Sequence, residues 1–404
     1  MNSDVILLGG GLVGQTLALA LNAHGLSSAV IDRAPAEALL DASYDGRVSA
    51  VASASWNMLE AIGLGEKLAG KGCAIGRIRA SDGLASGGLD FEPAADEGPL
   101  GIMYENRLLR ATLFETAQAA EHVTLHMGRS AETIDRGAAG VAVTLDDGSE
   151  LSAPLLVGAE GRNSPTREAA GIRIARWRYK HHAIIATINH ERPHGAIAYE
   201  IFYPAGPFAI LPMLDDQGGH RSALVWTVEE KDGPGMLALN ERAFLAEVEK
   251  RMGGFLGELA MAGPRAAYPL GFHHAATITA ARLALVGDAA HGIHPIAGQG
   301  LNLGFRDVAA LTEVLVEGAR LGLDLADAQL LKRYESWRSL DTLMVAMATD
   351  SLTRLFGLKG RTASRVRRFG MTAVDKVPPL KRKFVEEARG SSGKLPLLLQ
   401  GVTV

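Results

Sequence analysis

The first 32 residues constrain the fold of this chain more than any other stretch. Val5–Leu8 is a short apolar run that stops at three consecutive glycines, as a buried parallel strand does when it ends in a tight turn. Leu12–Ala23 is rich in helix-forming residues, and Ser27–Ile31 has the pattern of a second strand that ends at Asp32. We therefore predict a strand–turn–helix–strand unit that opens a parallel α/β sheet.

The turn of this unit has the spacing G-x-G-x-x-G. Gly9 permits the tight turn, Gly11 lets a pyrophosphate approach the backbone, and Gly14 lets the helix pack closely on the strand. Leu12 and Val13 begin the helix, where free N–H groups and the positive end of the helix dipole favour phosphate. These features predict a dinucleotide site, against the alternative of a glycine-rich turn without a ligand.

The acidic residue that such a site requires is present. Asp32 ends the second strand, where its carboxylate can accept hydrogen bonds from ribose hydroxyls, and Arg33 follows it. We find no second fingerprint of this form after a strand. A second nucleotide must therefore bind without a Rossmann unit of its own.

Two later turns repeat the plan of an apolar strand followed by glycine and an acidic residue. Leu151–Val157 leads to Gly158 and Glu160, and Leu283–Val286 leads to Gly287 and Asp288. Ligands of open α/β sheets bind beyond the carboxyl ends of the strands. We therefore expect these turns to lie near the first one.

The stretch between Trp177 and Trp226 has a different residue pattern. Short β-prone segments alternate there with Pro and Gly turns, which predicts a separate, mostly antiparallel sheet. The segments are Ala183–Asn189, Ala198–Phe202, Phe208–Pro212 and Ala223–Thr227.

After Gly300 the chain is predicted to be helical, with apolar residues at helical spacing. These are Leu301, Phe305, Val308, Leu311 and Leu315.

Composition excludes several classes of protein. A net charge of -4 argues against nucleic acid as the main partner. The single cysteine, Cys73, excludes an internal disulfide and a multi-cysteine metal or iron–sulfur site. Two adjacent histidine pairs, which begin at His181 and His273, cannot share a metal within a strand because neighbouring side chains point to opposite faces. We predict no metal site.

The stretch from Ala284 to Asn302, ALVGDAAHGIHPIAGQGLN, is the most specific in the chain. It resembles the class A flavin monooxygenases, and most closely their ubiquinone-biosynthesis hydroxylase family. The resemblance implies that Gly287 and Asp288 bind FAD, with the aspartate on the ribityl chain. It implies that the Gly-Gln-Gly-Leu-Asn turn covers the isoalloxazine ring. The ring environment would then comprise His294, Pro295, Gly298 and Gln299, with further FAD contacts from Gly300, Leu301 and Asn302.

Further matches extend the resemblance nearly end to end. Asp45-Gly46-Arg47 is similar to the family's Asp-x-Arg element, which implies that Arg47 lies by the FAD. Asn106–Arg110 resembles the start of a second FAD-contacting helix, with Arg107 as the contact. Gly206–Pro212 and Val225–Thr227 resemble strands of the substrate-domain sheet, and the tail from Asp375 to Gly401 resembles the ubiquinone branch.

One departure concerns the turn at Glu160. The family usually has Gly-Ala-Asp-Gly where this chain has Gly158-Ala159-Glu160-Gly161. Glutamate keeps the charge but is one methylene longer, which alters its hydrogen bonds to neighbouring backbone. We keep Glu160 as an FAD-site candidate, and a surface turn residue is the alternative.

The resemblance implies an α/β fold. It consists of a Rossmann-like FAD-binding domain, an inserted, mostly antiparallel β-sheet substrate domain and a helical C-terminal segment. We place the discontinuous FAD-binding domain at residues 1–72, 100–175 and 265–340. The substrate domain then comprises residues 73–99 and 176–264, and the basic C-terminal segment comprises residues 341–404.

The activity implied is that of an FAD-dependent monooxygenase. NAD(P)H reduces the flavin, O₂ forms a flavin C4a-hydroperoxide, and the ring of a prenylated phenol or quinol on the route to ubiquinone is hydroxylated. The flavin carries the hard chemistry, so no catalytic side chain is required. Three alternatives stay open: hydroxylation of a small soluble aromatic acid, reduction of prenyl double bonds, and a non-catalytic FAD-binding subunit of a quinone-synthesis complex. A fixed arginine clamp in the pocket would favour the acid.

The C-terminal segment is basic. Between Ser351 and Val404 there are 12 Lys and Arg against 3 Asp and Glu, and seven of the 12 form two clusters. Such a tail can rest on anionic lipid, or it can be a solvated surface that pairs with the acidic body. We find no targeting segment and expect a cytoplasmic protein that is peripheral at the inner face of the membrane, in contact with a ubiquinone-biosynthesis complex. The clusters are Arg361, Arg365, Arg367 and Arg368, then Lys381, Arg382 and Lys383.

Overall fold

The computed structural model describes residues 2–85, 88–292, 299–339 and 374–404. Its strands, numbered along the chain, are β1 (Val5–Leu8), β2 (Ser28–Asp32), β3 (Val48–Ala52), β4 (Cys73–Ile75), β5 (Arg77–Asp82), β6 (Leu89–Phe91), β7 (Gly101–Glu105), β8 (Val123–Met127), β9 (Ala131–Arg136), β10 (Val141–Leu145), β11 (Glu150–Ala153), β12 (Leu155–Gly158), β13 (Ile174–His190), β14 (Ile197–Tyr203), β15 (Gly206–Asp216), β16 (Gly219–Glu229), β17 (Leu259–Met261), β18 (Ala266–Ala275), β19 (Thr279–Ala280), β20 (Leu283–Leu285) and β21 (His291–Gly292).

The helices connect these strands and cover the sheets. They are α1 (Leu12–Asn22), α2 (Ala36–Leu40), α3 (Ser53–Ala61), α4 (Gly65–Leu68), α5 (Asn106–Gln118), α6 (Pro165–Ala169), α7 (Gly233–Ala238), α8 (Glu241–Met252), α9 (Gln299–Arg320) and α10 (Pro378–Ala388). A further helix occupies residues 328–339, and two 3₁₀ turns lie at Gly287–Ala289 and Leu397–Gln400.

A six-stranded sheet carries the predicted nucleotide-binding unit. Its strand order is β19-β20-β12-β1-β2-β8, and every neighbouring pair is parallel except β19 with β20. The predicted strand at Val5–Leu8, the helix that follows it and the strand that ends at Asp32 are confirmed. Because β1 and β12 are neighbours, their carboxyl-terminal turns lie side by side, as expected.

The predicted single strand Leu151–Val157 is wrong. Pro154 divides it into β11, which pairs antiparallel with β10, and β12, which pairs parallel with β1. Proline has no N–H to donate to a ladder, so the chain can leave one sheet there and enter the next.

The second large sheet has nine strands and is mostly antiparallel, as predicted. Its path is β21-β18-β13-β16-β15-β14-β5-β6, with β17 paired to β13. The four predicted short segments lie within the longer strands β13 to β16. Strand β15 continues through Pro212 to Asp216, and a turn connects it to β16 at Gly219.

The two faces of this sheet differ in what covers them. One face packs against α8 through Phe244, Val248 and Met252. We call the opposite surface the inner face. It contacts Val48 and Ala50 of β3, together with β4, β7 and Val385 of α10. Its residues on the central strands are Ala198, Glu200, Phe202, Ala209, Leu211, Ala223, Val225, Ile185 and Thr187.

The C-terminal segment is partly helical. Helix α10 follows Val377, and Leu398 and Leu399 are buried in the main core. The first predicted basic cluster, at Arg361, Arg365, Arg367 and Arg368, lies outside the described residues. The division into domains at the residue numbers given above stays a prediction.

Candidate functional site

The turn between β1 and α1 requires glycine at two places for reasons internal to the chain. Gly9 has φ +106°, and a Cβ placed on it would lie 2.5 Å from the carbonyl oxygen of Ala159. A Cβ on Gly14 would lie 1.9 Å from the carbonyl oxygen of Gly9. A side chain at either position would push the turn, the helix and the turn after β12 apart.

Gly11 is different. Within the described part of the chain, no atom lies within 4 Å of a Cβ placed on Gly11, so packing does not require a glycine there. Gly11 is also the N-cap of α1, and no side chain caps that helix end. The N–H groups of the first turn, which contains Leu12 and Val13, are therefore available to an anion. The approach of a pyrophosphate to the backbone at Gly11 stays a prediction, and the open space there is compatible with it.

Asp32 is held in place at the end of β2. Its Oδ2 accepts a hydrogen bond of 2.5 Å from the Gly10 N–H, and its Oδ1 accepts one of 2.8 Å from the Ala34 N–H. The carboxylate therefore lies against the glycine turn, with further lone pairs for a ribose hydroxyl. Arg33 beside it is exposed.

The turn after β20 meets α1 at Val13. A Cβ on Gly287 would lie 3.2 Å from Val13 Cγ2, and one on Gly304 of α9 would lie 2.7 Å from the same atom. The side chain of Asp288 is 44% exposed, and its Oδ2 is 3.9 Å from Arg162 Nε. Its carbonyl oxygen is 2.7 Å from His273 Nε2. Three chain segments thus converge on one side of the glycine turn.

A buried carboxylate that the sequence analysis missed ties these segments together. Asp307 of α9 is fully buried and accepts a hydrogen bond of 2.8 Å from the Gly287 N–H. Its Oδ2 lies 2.7 Å from His291 Nε2, and its Oδ1 accepts a 2.6 Å bond from Arg338 Nε. Burial opposes ionisation of Asp307, but His291 and Arg338 outweigh it and hold its pKa below the usual range. In the sequence, Asp307 is simply an acidic residue within a helical pattern. A solvent-exposed aspartate would give the same pattern, so its burial could not be predicted.

The start of α9 lies under β3. The helix begins at Gln299, so Gly300, Leu301 and Asn302 form its first turn. The side-chain amide of Asn302 bonds to β3, accepting from the Ala52 N–H at 2.9 Å and donating to the Ala50 carbonyl at 2.9 Å. The side-chain amide of Asn302 therefore holds β3 against the start of α9. The other predicted ring neighbours, His294, Pro295, Gly298 and the side chain of Gln299, lie outside the described residues.

The two predicted arginines are anchored by carboxylates. Arg47 is exposed, and its Nε and Nη2 donate to Asp45 Oδ2 at 2.8 and 2.6 Å. Arg107 donates from Nε to Glu105 Oε2 at 2.6 Å and from Nη1 to the carbonyl of Ala42. Both guanidiniums are thereby fixed around the loop before β3.

Glu160 is bonded to the start of α6, whose N-cap is Ser164. Its Oε2 accepts a 2.6 Å bond from the Ser164 hydroxyl and lies 3.3 Å from the Thr166 N–H at the start of α6. This geometry favours a role in the turn itself.

A polar cluster on the inner face was also missed. Glu105 is buried and bonds to Arg221 Nη2 at 2.7 Å, and Tyr44 lies against Arg221 and bonds to the Thr187 hydroxyl at 2.5 Å. Burial raises the pKa of Tyr44. A cavity of about 320 Å³ opens beside Glu105 and Arg221, near Met213. These residues come from four distant parts of the chain, so no local pattern could have grouped them.

Comparison with known proteins agrees with this geometry. A family model described as FAD binding domain matches residues 2–348. The ubiquinone hydroxylase UbiL of Rhodospirillum rubrum is 46% identical over 99% of this chain and 93% of its own length. The 3-demethoxyubiquinol 3-hydroxylase of Escherichia coli is 33% identical over 96% of this chain and 98% of its own.

A solved structure shares the fold. The p-nitrophenol 4-monooxygenase PnpA of Pseudomonas putida has a TM-score of 0.78 at 17% identity, and the match covers 98% of this chain and 100% of that one. The glycine turn follows β1, Asp32 ends β2 and the turn at Gly287 follows β20, all in the same parallel sheet. The chain therefore belongs to the FAD-binding-domain family and, within it, to the FAD-dependent monooxygenases that include the ubiquinone-biosynthesis hydroxylases.

Proposed function

We propose that this enzyme hydroxylates the aromatic ring of a prenylated phenol or quinol intermediate of ubiquinone biosynthesis. The observation that carries the proposal is the 46% identity to a ubiquinone hydroxylase over nearly the whole chain. When bound, FAD supplies the oxygen-transfer chemistry, with O₂ as oxidant and NAD(P)H, the donor typical of the family, as reductant.

The residues that would hold FAD are those of the three converging turns. The backbone at Gly9, Gly11 and Gly14 would take the pyrophosphate, Asp32 the ribose, and Gly287 and Asp288 the ribityl chain. Arg47 and Arg107, anchored by Asp45 and Glu105, would border the cofactor. The N-terminal turn of α9 would place positive dipole next to the flavin ring.

The inner face favours an apolar substrate over a small acid. Its central residues are mostly alanine, valine, isoleucine and leucine, which suit a ring with a prenyl chain. Arg221, which could have clamped a carboxylate, is already bound to Glu105 at 2.7 Å and to Asp216 at 3.2 Å. A second anion would have to displace one of them.

Mass spectrometry of quinone lipids tests this function. Cells that lack the gene are compared with cells complemented by wild type or by Gly11→Val, which serves as a flavin-free control. We expect loss of ubiquinone and accumulation of a prenylated ring that lacks one oxygen, restored only by wild type. A normal quinone profile in the deletion strain would contradict the proposal.

We also propose that α10 touches the membrane surface. Val377, Leu380 and Phe384 at this helix are 46%, 40% and 38% exposed, beside Lys381, Arg382 and Lys383. Among the described helices, none is long and apolar enough to cross a bilayer. Cosedimentation with phosphatidylglycerol vesicles should therefore fall in high salt and in Phe384→Glu. Equal cosedimentation of the variant would contradict this contact.

A further inference from the structure

One carboxyl group lies in the middle of the inner face, among apolar residues. Glu200 is on β14, between Ala198 and Phe202 on its own strand. Its cross-strand neighbours are Ala209 on β15 and Ala80 on β5. The four nearest residues on the same face are thus apolar, and none has a side-chain donor. Glu200 forms no side-chain hydrogen bond or ion pair with the described residues.

Glu200 is half-buried on the inner face. It is surrounded by protein, yet part of its surface stays accessible to solvent. Burial without a compensating cation raises the pKa of Glu200 to about 7. An isolated ionisable side chain in such a place is costly to the fold, so its presence points to function.

The layer opposite Glu200 connects it with the flavin end of the molecule. Two residues along β14, Ala198 packs in one apolar cluster with Leu211, Val48 and Ala50. The carbonyl of Ala50 is held by Asn302 in the first turn of α9, where the flavin ring is proposed to lie. Residues two apart on a strand are separated by about 7 Å. Glu200 therefore lies about 7 Å along β14 from a cluster that contains β3 residues held by the start of α9. The ring to be hydroxylated is proposed to lie on this same inner face.

Other charged groups on the neighbouring strands do not replace Glu200. Asp82 shares its face on β5, two residues beyond Ala80, and Arg221 lies at the far end of β16 with Glu105. Arg79 belongs to the other face of β5 and is bound to Asp90. On α10, Arg382 pairs with Glu386, and Lys381 pairs with Asp375.

We propose that Glu200 is a catalytic residue that binds the hydroxyl of the phenolic substrate and accepts its proton. The phenol O–H bond breaks, a carboxyl O–H bond forms, and the electron pair stays on the phenolic oxygen. The ring carbons ortho and para to that oxygen become richer in electrons and therefore react more readily with an electrophilic oxygen. This role rests on the proposed function, because it requires a phenolic substrate.

The acidity of Glu200 suits this transfer. A tyrosine-like phenol has a pKa of about 10, so a carboxylate near 7 is a much better acceptor for its proton than an ordinary glutamate. A glutamine at the same place could still bind the hydroxyl but could not take the proton. The two parts of the role are therefore separable.

The test uses the holoenzyme with 2-prenylphenol and its methyl ether as probes. Difference spectra at pH 8 report whether the bound phenol is ionised. We expect the phenolate band with wild type and not with Glu200→Gln, and equal affinity of both proteins for the methyl ether. The kcat for ring hydroxylation should fall about a hundredfold or more in Glu200→Gln, and KM should change by less than about threefold. The rise of kcat/KM with pH through 7 should disappear.

Tyr199→Phe is the matched control. Tyr199 is next to Glu200 on β14 but faces the other way, where its ring lies 4.6 Å from that of Phe255. It should keep the wild-type kcat and phenolate band, and Glu200→Asp should restore part of the activity. A phenolate band or a wild-type pH profile in Glu200→Gln would overturn the proton role. If wild type neither binds nor hydroxylates 2-prenylphenol, the proposed function itself is rejected, and the role of Glu200 with it.

Discussion

The glycine turn and the inner face build a binding surface in opposite ways. The turn between β1 and α1 uses backbone: glycines that allow close approach and N–H groups at a helix start. The inner face uses side chains from strands far apart in sequence, such as Thr187, Glu200 and Arg221. A backbone site tolerates changes in most side chains but not in conformation, whereas a side-chain site can change specificity by single substitutions.

The two regions also differ in how they treat charge. At the turns, two carboxylates have partners within the protein: Asp32 accepts from two backbone N–H groups, and Asp307 lies against an N–H, a histidine and an arginine. On the inner face Arg221 is neutralised by Glu105, while Glu200 has four apolar neighbours. These two carboxylates are thus satisfied within the protein, whereas the inner face contains one carboxyl group whose interaction a bound phenol is proposed to complete.

The largest effect is expected from Gly11→Val. The side chain would point where no described atom lies, so the apoprotein should fold, but it would block the pyrophosphate. We expect FAD affinity to fall at least a thousandfold, about 4 kcal/mol, with an unchanged melting temperature of the apoprotein. Isothermal titration and thermal melting measure the two quantities.

Gly14→Ala is the contrasting control for that experiment. Its Cβ would collide with the Gly9 carbonyl, so this variant should lose stability as well as FAD. A Gly11→Val protein that stays folded and fully yellow would remove Gly11 from the site. If both variants fail to fold, Gly11 is required by packing just as Gly14 is, and the distinction between the two glycines is lost.

The second effect concerns Glu200→Gln and pH. Glu200 has its pKa raised from an ordinary 4.5 to about 7, so the folded state favours its protonated form. Its contribution to stability is fully present below about pH 4.5 and is lost as pH rises through 7. Relative to wild type, the free energy of unfolding of the variant should rise by up to about 3 kcal/mol between pH 4.5 and pH 8. Urea denaturation at both pH values measures this, and an equal stability difference at the two would refute the assigned environment.

The smallest effect is expected from Asp288→Ala. Its carboxylate is half-exposed and 3.9 Å from Arg162, so removal should leave the fold intact. We expect FAD to bind about tenfold more weakly, about 1.4 kcal/mol, through loss of one charge-assisted contact. Asp324→Asn, an exposed carboxylate bound to Arg282 away from the turns, is the control. An unchanged dissociation constant would exclude Asp288 from the ribityl contact.

The nucleotide unit could be predicted because its constraints are local. Strand, turn, helix and acidic residue follow one another within 32 residues, and their spacing specifies the geometry. The strand at Leu151–Val157 was predicted wrongly because its apolar pattern is continuous and only Pro154 marks the change of sheet.

The inner face could not be predicted because its members meet only through sheet register. Nothing near Glu200 in the sequence shows that Ala80 and Ala209 flank it, and a glutamate in a β-prone run is normally solvent-facing. The resemblance assigns Asn302 to the cofactor, which stays a prediction, and the structure adds that its amide bonds to β3. The role of a polar side chain depends on partners that spacing does not reveal.

Three chain segments converge on the carboxylate of Asp307. The turn at Gly287, the strand at His291 and the helix at Arg338 are held by the carboxylate and border the proposed FAD site. A ligand that binds only the folded state stabilises it in proportion to its occupancy. Cells short of riboflavin should therefore contain less of this enzyme, because more of it unfolds and is degraded, and quinone synthesis should respond to vitamin supply through protein abundance.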